Sequence, residues 1–283
     1  METKLRFGRG NAKLADEIYT FSLPAGHACP GALQCMAKAD RKTGKLQDGP
    51  SQSFRCFAAG DESRYPSVRR LRWHNFDLLK GNSREEMAAL ILHSLPLDAN
   101  IVRLHVSGDF FSDAYFLAWM DVAKSKSETL FYTYTKSLPI WLRHRSSVPA
   151  NFKLTASEGG KHDHLIESET LKSARVLFSM EEAVALGLEI DHDDSHAYAS
   201  EKSFALLLHG NQPKDTPAAK GYFSTKGSWL QRILCEGSQK TNLVLTCKNK
   251  RYHRPRPRRR SRSRRLWNVV VASLWRTGAK LGT

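Results

Sequence analysis

The chain has 283 residues, of which 41% are hydrophobic, enough for the core of one α/β domain of roughly 250 residues. Its net charge of +16 is concentrated at one end, because residues 248–283 hold 13 Lys and Arg and no acidic residue, while the other 247 residues carry 31 basic and 28 acidic side chains, or +3. This near-neutral body argues against a globular nucleic-acid binder with a basic face.

Other classes are excluded by missing patterns. No apolar run approaches the ~18 residues that a membrane-spanning helix needs, and the polar start Met1-Glu-Thr-Lys-Leu-Arg lacks the pattern of a signal peptide. No P-loop, H-E-x-x-H or G-x-S-x-G motif occurs in a suitable context, which argues against NTPases, zincins and α/β-hydrolases. We therefore expect a cytoplasmic protein that does not bind membranes. Its odd number of cysteines, five, favours ligands, catalytic groups or buried thiols over disulfides.

Strand and helix patterns alternate along the chain from residue 18 onward. In chain order we predict a strand at 18–23, helices at 69–79 and from the capping box Ser83–Glu86, a strand at 101–106, a helix at 112–123, a strand at 130–134, a short helix at 139–144, strands at 151–155 and 175–178, a helix from the capping box Ser179–Glu182 to Gly187, and a last apolar run at 204–208. This alternation predicts a parallel α/β sheet, either open or barrel-like.

Three cysteines lie in a polar, Gly- and Pro-rich segment, residues 24–66, that follows the first predicted strand. They are Cys29, Cys35 and Cys56, and we expect a long structured loop to present them. Loops of this length are uncommon unless they are functional. Three thiolates can hold a metal or a cluster and leave one coordination position open for chemistry.

Three interpretations of these cysteines stay open. They hold an iron–sulfur cluster, or a zinc ion with His27 or His74 as fourth ligand, or they are thiols without a metal. The Cys-x5-Cys spacing lacks the tight pair that is typical of zinc sites. Cys235 and Cys247 lie beyond the motif-rich region, and we interpret them as structural or incidental.

Polar residues follow the predicted strands where a parallel sheet gathers its chemistry, at the carboxyl ends. The candidates for ligand binding are Ser107, Gly108, Asp109, Lys136, Thr155 and Ser157, with Tyr134 and Glu158 beside them. Gly108 would permit close approach of the backbone to a ligand, and Asp109 could accept a hydrogen bond from an amine or hydroxyl. Lys136 could hold a carboxylate or phosphate, or be solvated. The alternative is turn chemistry, with Ser112 capping the next helix.

Three histidine-bearing positions have a weaker claim. His105 lies inside a predicted strand, where a satisfied core histidine and a site residue are equally good interpretations. The segments 162–164 and 191–196 have a metal-like composition of His and Asp, but polar loops of this kind are more often solvated.

Several segments together resemble the phage-encoded gene product 88 family over roughly residues 3–230. They are Phe21–Gly26, Cys29–Ala32 with Cys35, Arg55–Ala58, His105–Ser112, Tyr132–Lys136, Leu154–Ser157, Asp191–His196 and Leu207–Gly210. The resemblance implies a phage-related protein in a prokaryotic or phage-infected cell, and it does not imply an activity.

The cysteines are also distantly similar to those of the radical S-adenosylmethionine superfamily. That resemblance implies a partial (β/α) barrel, a [4Fe–4S] cluster on Cys29, Cys35 and Cys56, and S-adenosylmethionine as second cofactor. Ser107-Gly108-Asp109 stands where that superfamily has its Gly-Gly-Glu-like motif, and Cys56-Phe57-Ala58 looks like its Cys-aromatic step. Lys136, Thr155 and Ser157 would line the barrel mouth. The chain departs from the family pattern, Cys-x3-Cys-x2-Cys, with Cys-x5-Cys-x20-Cys.

The basic end of the chain differs from the rest. We predict an α/β barrel-like domain over residues 1–245 and a disordered, low-complexity tail over residues 246–283. The tail would bind nucleic acid nonspecifically through residues 248–265, or it is a frameshifted or fused end. The alternative to a radical enzyme acting on an unknown substrate is therefore a zinc-stabilised, phage nucleic-acid-associated binding protein.

Overall fold

A seven-stranded sheet forms the centre of the protein. The structure is a computed structural model that describes residues 4–11, 13–214 and 216–220. The strands are β1 Gly8–Arg9, β2 Ile18–Ser22, β3 Ala37–Ala39, β4 Leu46–Asp48, β5 Ile101–Ser107, β6 Leu130–Thr135, β7 Phe152–Ser157, β8 Ser173–Leu177 and β9 Phe204–Leu207. The large sheet has the order β1-β2-β5-β6-β7-β8-β9, and only the β1–β2 pair is antiparallel, while β3 and β4 form a separate hairpin. The predicted α/β class with a mostly parallel sheet is confirmed.

The helices occupy the crossovers between the strands. They are α1 Phe57–Arg64, α2 Pro66–Leu79, α3 Arg84–Ser94, α4 Asp113–Ser125, α5 Leu138–Arg143, α6 His164–Ser168, α7 Met180–Leu186 and α8 Ser195–Ala199. The parallel strands stand in the sheet in chain order, and right-handed crossovers between such strands return on the same face. Among the described residues the sheet is open, with β1 and β9 at its two edges, so a barrel stays a prediction.

Local sequence signals explain the ends of two helices. Ser83 accepts a hydrogen bond from the Glu86 amide and Glu86 caps the Ser83 amide, so the predicted capping box starts α3. The Ser179 side chain likewise accepts from the amide of Glu182 at the start of α7. That helix ends at Gly187, which has the left-handed φ of 64° that favours glycine.

The main core lies between the sheet and the helices α3 and α4. Tyr115, Trp119 and Val122 form the predicted buried stripe of α4 and pack in one cluster with Val102 and Phe131 of the sheet. Full burial of a side chain such as valine or phenylalanine stabilises a fold by about 1.5–3 kcal/mol. This core fixes β5 and β6, whose carboxyl ends carry the candidate site.

The opposite face of the sheet is partly polar. We call this side of the sheet the polar face. Its side chains stand in register across β5, β6 and β7, and they include Arg103, Tyr132, Tyr134 and Thr155. Helix α8 covers part of the polar face, where Ala197 packs in one cluster with Tyr132.

Several predictions fall outside the described residues. They are the boundary between residues 245 and 246, the disordered tail 246–283, and the roles of Cys235 and Cys247. Within the described part of the chain, no helix combines the length and the apolar character needed to cross a membrane.

Candidate functional site

The first part of the cysteine-bearing segment rests on the carboxyl ends of β6 and β7. A Cβ atom on Gly31 would lie 2.2 Å from the carbonyl oxygen of Lys136, so only glycine allows this approach of the two backbones. Ala32 forms an antiparallel bridge with Gly160, and the Lys161 amide donates to the Gly31 carbonyl at 2.9 Å. The segment after β2 therefore lies over the edge of the sheet where parallel strands gather their chemistry.

Backbone hydrogen bonds bring Cys56 to the other two cysteines. The Gln34 carbonyl accepts from the amides of Ser53 at 2.8 Å and Phe54 at 3.3 Å. The side chain of Gln212, after β9, accepts from the Arg55 amide at 2.7 Å and donates to the Arg55 carbonyl at 3.1 Å. The hairpin β3–β4 and helix α1 account for much of the segment 24–66 that we expected to be a loop.

The three thiols of Cys29, Cys35 and Cys56 lie near one another, and we call them the thiol cluster. All three are free and half-buried. Burial raises the pKa of Cys29, as do the charges of Asp109, Cys56 and Cys35, and burial together with the charge of Cys35 raises the pKa of Cys56 to about 11. The thiols are thus close enough to influence one another. Cys29 and Cys56 are therefore protonated at neutral pH, so a metal would have to displace their protons.

A backbone amide points at one of these sulfurs, and a second cysteine stands at the start of a helix. The Gly26 amide donates to Cys29 Sγ at 3.3 Å. Cys56 is the N-cap residue of α1, where the amides of Ala59 and Ala58 lower its pKa against the effect of burial. The N-terminus of a helix favours negative charge, so this position stabilises a thiolate once the proton is lost.

Ser107, Gly108 and Asp109 join the strand ends beneath the cysteines. The Asp109 carboxylate accepts from the Thr135 hydroxyl at 2.6 Å and from the Lys136 amide at 2.8 Å, and the side chain is only 4% exposed. Gly108 has a φ of 86°, and a Cβ there would lie 2.6 Å from Leu23 Cβ. Gly108 therefore permits a close approach to Leu23, the residue that follows the neighbouring strand β2.

Lys136 and Ser157 are hydrogen-bonded to each other at the same edge. Lys136 Nζ donates to the Ser157 hydroxyl at 2.7 Å and to the Ser157 carbonyl at 3.0 Å, and it also donates to the Glu158 carbonyl. Thr155 lies lower on the polar face and is fully buried. The predicted strand-end residues thus lie along one edge of the sheet. The Lys136 ammonium group donates its hydrogen bonds within the protein.

Residues 3–226 match the profile of a family described as Gene product 88. The chain belongs to the gene product 88 family. The match covers β1 to β9 and all three cysteines, and it confirms the resemblance to the phage family. No curated protein and no solved structure matches the chain. The similarity to the radical S-adenosylmethionine superfamily has no support in these comparisons and stays a hypothesis.

The two histidines proposed as zinc ligands have other partners in this gene product 88 protein. His27 Nε2 lies 3.2 Å from the Ala39 carbonyl, and its ring packs against Trp73 with centroids 4.9 Å apart. His74 Nε2 lies 2.8 Å from the Lys4 carbonyl. In the part of the chain that the structure describes, no group of three or more His, Cys, Asp or Glu side chains is arranged to hold a metal ion.

The two His- and Asp-rich segments carry structural contacts. Asp163 accepts from the amides of Gly159 and Gly160 at 2.7 and 2.8 Å. Asp191 and Asp194 both pair with Lys13, at 2.8 and 2.5 Å. The second segment therefore clamps the N-terminal part of the chain onto the polar face.

His105 occupies the core. Its Nδ1 lies 3.1 Å from the Thr133 hydroxyl and its Nε2 lies 3.1 Å from the Tyr115 hydroxyl. Burial lowers the pKa of His105 to about 3, so the ring is neutral at physiological pH. Of the two interpretations of this residue, the satisfied core histidine agrees with the geometry.

Sequence analysis missed Glu62 of α1, which is fully buried beside the cysteine segment. Its Oε1 accepts from the Ala25 amide at 2.8 Å, from Arg72 Nη1 at 2.9 Å and from the Ser107 hydroxyl at 3.4 Å. Glu62 therefore joins α1, α2, the cysteine segment and the end of β5. The signal was weak, since a glutamate in a short helix of small residues is usually exposed.

Proposed function

We propose that this gene product 88 protein binds a [4Fe–4S] cluster through Cys29, Cys35 and Cys56 and acts as a radical S-adenosylmethionine enzyme on an unknown substrate. One observation carries the proposal. Three thiols from two segments, 20 residues apart at the wider gap, meet at the carboxyl edge of a parallel sheet. Because such an edge is where α/β proteins hold their cofactors, the position of the thiols supports a cofactor site.

The strand order supports a partial barrel as the surrounding fold. Parallel strands in chain order form a sheet that can curl, as in (β/α) barrels. The polar face would then line the inside. The absence of a long apolar helix in the described residues and the three free thiols agree with a reducing cytoplasm, where we place the protein.

The donor set fits a cluster better than a single zinc ion. A tetrahedral zinc with Zn–S bonds of ~2.3 Å needs sulfurs about 3.8 Å apart and a fourth ligand. The candidates for that fourth ligand, His27 and His74, are bonded elsewhere. A four-iron cluster is larger than one ion and tolerates wider sulfur separations. The Gly26 amide that donates to Cys29 is also the kind of donor that tunes cluster sulfurs.

The chain's own residues have positioning roles in this proposal. When bound, the cluster would supply an electron for the reductive cleavage of S-adenosylmethionine. Asp109 would keep the ends of β5 and β6 in register beneath Cys29, and Ser107 would contact the cofactor. Lys136, with Ser157, would fix the edge on which the cysteine segment rests. Thr155 would lie deeper, toward the substrate.

Reconstitution without oxygen tests the metal. We expect about four irons per chain with matching sulfide and a broad absorbance near ~400 nm in the wild type. Cys29→Ser, Cys35→Ser and Cys56→Ser should each lower the iron content strongly, whereas the matched controls Cys235→Ser and Cys247→Ser should not.

Two results would contradict the assignment. Full iron content in Cys29→Ser would exclude this thiol as a ligand. One tightly bound zinc ion in a colourless protein would favour a structural zinc site over a cluster. For the reaction, cluster-loaded protein with S-adenosylmethionine and dithionite should form 5′-deoxyadenosine, measured by chromatography. A loaded protein that leaves S-adenosylmethionine intact would refute the radical-enzyme part alone.

The basic end of the chain supports one alternative, a zinc-stabilised nucleic-acid-associated protein. Its 13 Lys and Arg within residues 248–283 would neutralise phosphates without reading sequence. Deletion of residues 248–283 separates the two functions. The alternative predicts loss of a salt-dependent affinity for DNA or RNA, and the enzyme proposal predicts unchanged iron content.

A further inference from the structure

A cavity lies beside the first half of β7, at the amino end of the strand. Strand β8 pairs with β7 only through Ala156–Ser173 and Ser157–Ala174, so among the described residues no strand pairs with residues 152–155 on that side. The cavity at this gap has a volume of about 240 Å³, and we call it the β7 cavity. Sites for drug-sized ligands typically have ~300–1,000 Å³, so this space suits a smaller molecule.

Part of the lining of the β7 cavity is apolar. It consists of Trp141 of α5, Val148, and Phe152 and Leu154 of β7. Phe152 and Leu154 share one side of the strand, because side chains alternate, and both pack with Trp141 in the main core. The core therefore holds this wall in place without a ligand. An apolar wall favours a ligand that has an apolar part.

The remaining lining residues are charged. They are Arg145, Lys153, Lys172 and Glu201, three cations and one carboxylate. Arg145 also lies 3.6 Å from Glu169, but both side chains are more than 40% exposed, at 57% and 43%, and such pairs are weak. The cavity therefore carries an excess of positive charge.

The two lysines are close enough to repel each other. Lys153 is half-buried, and its ammonium group has no hydrogen-bond or ion-pair partner within the described part of the chain. Lys172 Nζ donates to the Ala197 carbonyl at 2.8 Å and to the Ser200 carbonyl. Burial lowers the pKa of Lys172 and the charge of Lys153 lowers it as well, while Glu201 raises it. A negative charge beside the two ammonium groups would relieve this repulsion.

The residues outside the described part offer few anions for the β7 cavity. Residues 221–283 hold 16 Lys and Arg and one acidic residue, Glu236. A segment with the same sign of charge as the cavity is disfavoured there by electrostatic repulsion. The charges therefore favour an anion from outside the chain.

The commitments of the three cations limit the charge of that anion. Lys172 already donates to two carbonyls, and Arg145 is paired with Glu169. Only Lys153 is wholly uncommitted, so the cavity compensates one negative charge best. We propose that the β7 cavity binds a small monocarboxylate with an apolar body, its carboxylate at Lys153 and its body against Trp141. No thiol lines the cavity, so binding requires no metal and goes beyond the proposed function.

Fluorine NMR on the full-length protein tests the class of ligand. The probe is 4-fluorobenzoate, and its line width and chemical shift on titration give the affinity. The matched 4-fluorobenzamide has the same body without the charge, and we expect it to bind at least about fivefold more weakly because it lacks a charge-assisted hydrogen bond. Equal or tighter binding of the amide, or tighter binding of the dianion 4-fluorophenyl phosphate, would overturn the proposal.

Two substitutions should change the affinity for 4-fluorobenzoate in opposite directions. Lys153→Met removes the charge and keeps most of the side-chain length, and it should weaken binding by about five- to tenfold. Glu201→Gln removes the carboxylate from the lining and should tighten binding by about twofold. The control is Lys45→Met, the same change at an exposed lysine of the hairpin β3–β4, which should leave the affinity unchanged.

Three results would refute the site: no binding of 4-fluorobenzoate to the wild type, wild-type affinity in Lys153→Met, or an equal loss in Lys45→Met. Circular dichroism checks that each variant is folded. If Lys153→Met does not fold, the exposed Arg145→Met replaces it, and an unchanged affinity in that variant would refute the site as well. Cys29→Ser should bind the probe as the wild type does, so the iron content and the affinity for the probe can fail separately.

Discussion

The buried ring of His105 predicts a measurable dependence of stability on pH. In the folded protein burial lowers its pKa to about 3, whereas an unfolded chain has a histidine pKa near ~6.5. Above pH ~6.5 the ring is neutral in both states and its full contribution to stability is present. Below that pH the unfolded chain binds a proton that the folded protein does not bind. The free energy of unfolding therefore falls as the pH drops from ~6.5 to about 3.

The size of this effect follows from the same two pKa values. Between pH 7.5 and pH 5.0 the unfolded histidine becomes almost fully protonated, which costs the fold about 2 kcal/mol. Urea unfolding followed by circular dichroism at both pH values measures it. The control is His105→Asn, since asparagine tolerates the φ of 55° at this position and does not titrate. The contributions of His196 and His209 are the same in both proteins and cancel.

The wild type should lose about 2 kcal/mol more than His105→Asn over this range. An equal loss in the two proteins would mean that the His105 ring is charged or solvated in the fold, and the assignment of this residue to the core would be wrong.

Three further substitutions test the contacts around the site. Gly31→Ala should push the cysteine segment off the Lys136 carbonyl, lower stability by about 1–3 kcal/mol and speed the alkylation of the thiols by iodoacetamide; an unchanged alkylation rate would contradict the docking. Asp109→Asn removes an acceptor from a buried hydrogen-bond network and should lower the free energy of unfolding in urea by about 1–3 kcal/mol. A change near zero would show that the carboxylate is already protonated and loosely held. Lys13→Met leaves two buried carboxylates short of a partner and should cost about 2–3 kcal/mol, less than for a fully buried pair because the lysine side chain is 30% exposed. Lys13→Arg should restore most of that loss, and failure to do so would mean that shape rather than charge matters there.

Local patterns were sufficient for the parallel strands of the large sheet, whereas the two-residue strand β1 Gly8–Arg9 was not predicted. The strand predicted at 130–134 is β6 Leu130–Thr135, and the helix predicted at 112–123 is α4 Asp113–Ser125. Both are long, periodic and bounded by turn or capping residues, which are properties of neighbours in sequence.

The cysteine segment was predicted less well, since contacts far along the chain hold it. Strands β3 and β4 have three residues each, too few to show a period, and they pair only with each other. Helix α1 buries Ala58, Ala59 and Glu62 rather than a stripe of large apolar residues. No pattern within such short pieces predicts that they fold together.

The candidate site shows a similar limit. The strand-end rule identified Asp109, Lys136 and Ser157 as neighbours, and the structure brings them together at one edge. Their polar groups are largely engaged with one another. A polar residue at a strand end has the same appearance in a sequence whether it meets a ligand or another strand, and only the three-dimensional pairing distinguishes Lys136 from Thr155, whose hydroxyl is unpartnered among the described residues.

The hairpin between Cys35 and Cys56 has a consequence for relatives of this protein. Its base is closed, because the Gly49 amide donates to the Met36 carbonyl at 2.9 Å and the Ser53 amide donates to the Gln34 carbonyl at 2.8 Å. A segment whose ends are already adjacent can grow or shrink at its tip at a small entropic cost. The tip contacts α2, since Arg69 donates to the Arg41 carbonyl and Arg41 pairs with Asp77, so a change in length there would cost those contacts. It would leave the closed base, and with it the sulfurs, where they are. A search for distant relatives should therefore score the two anchored ends and allow a gap of any length between them.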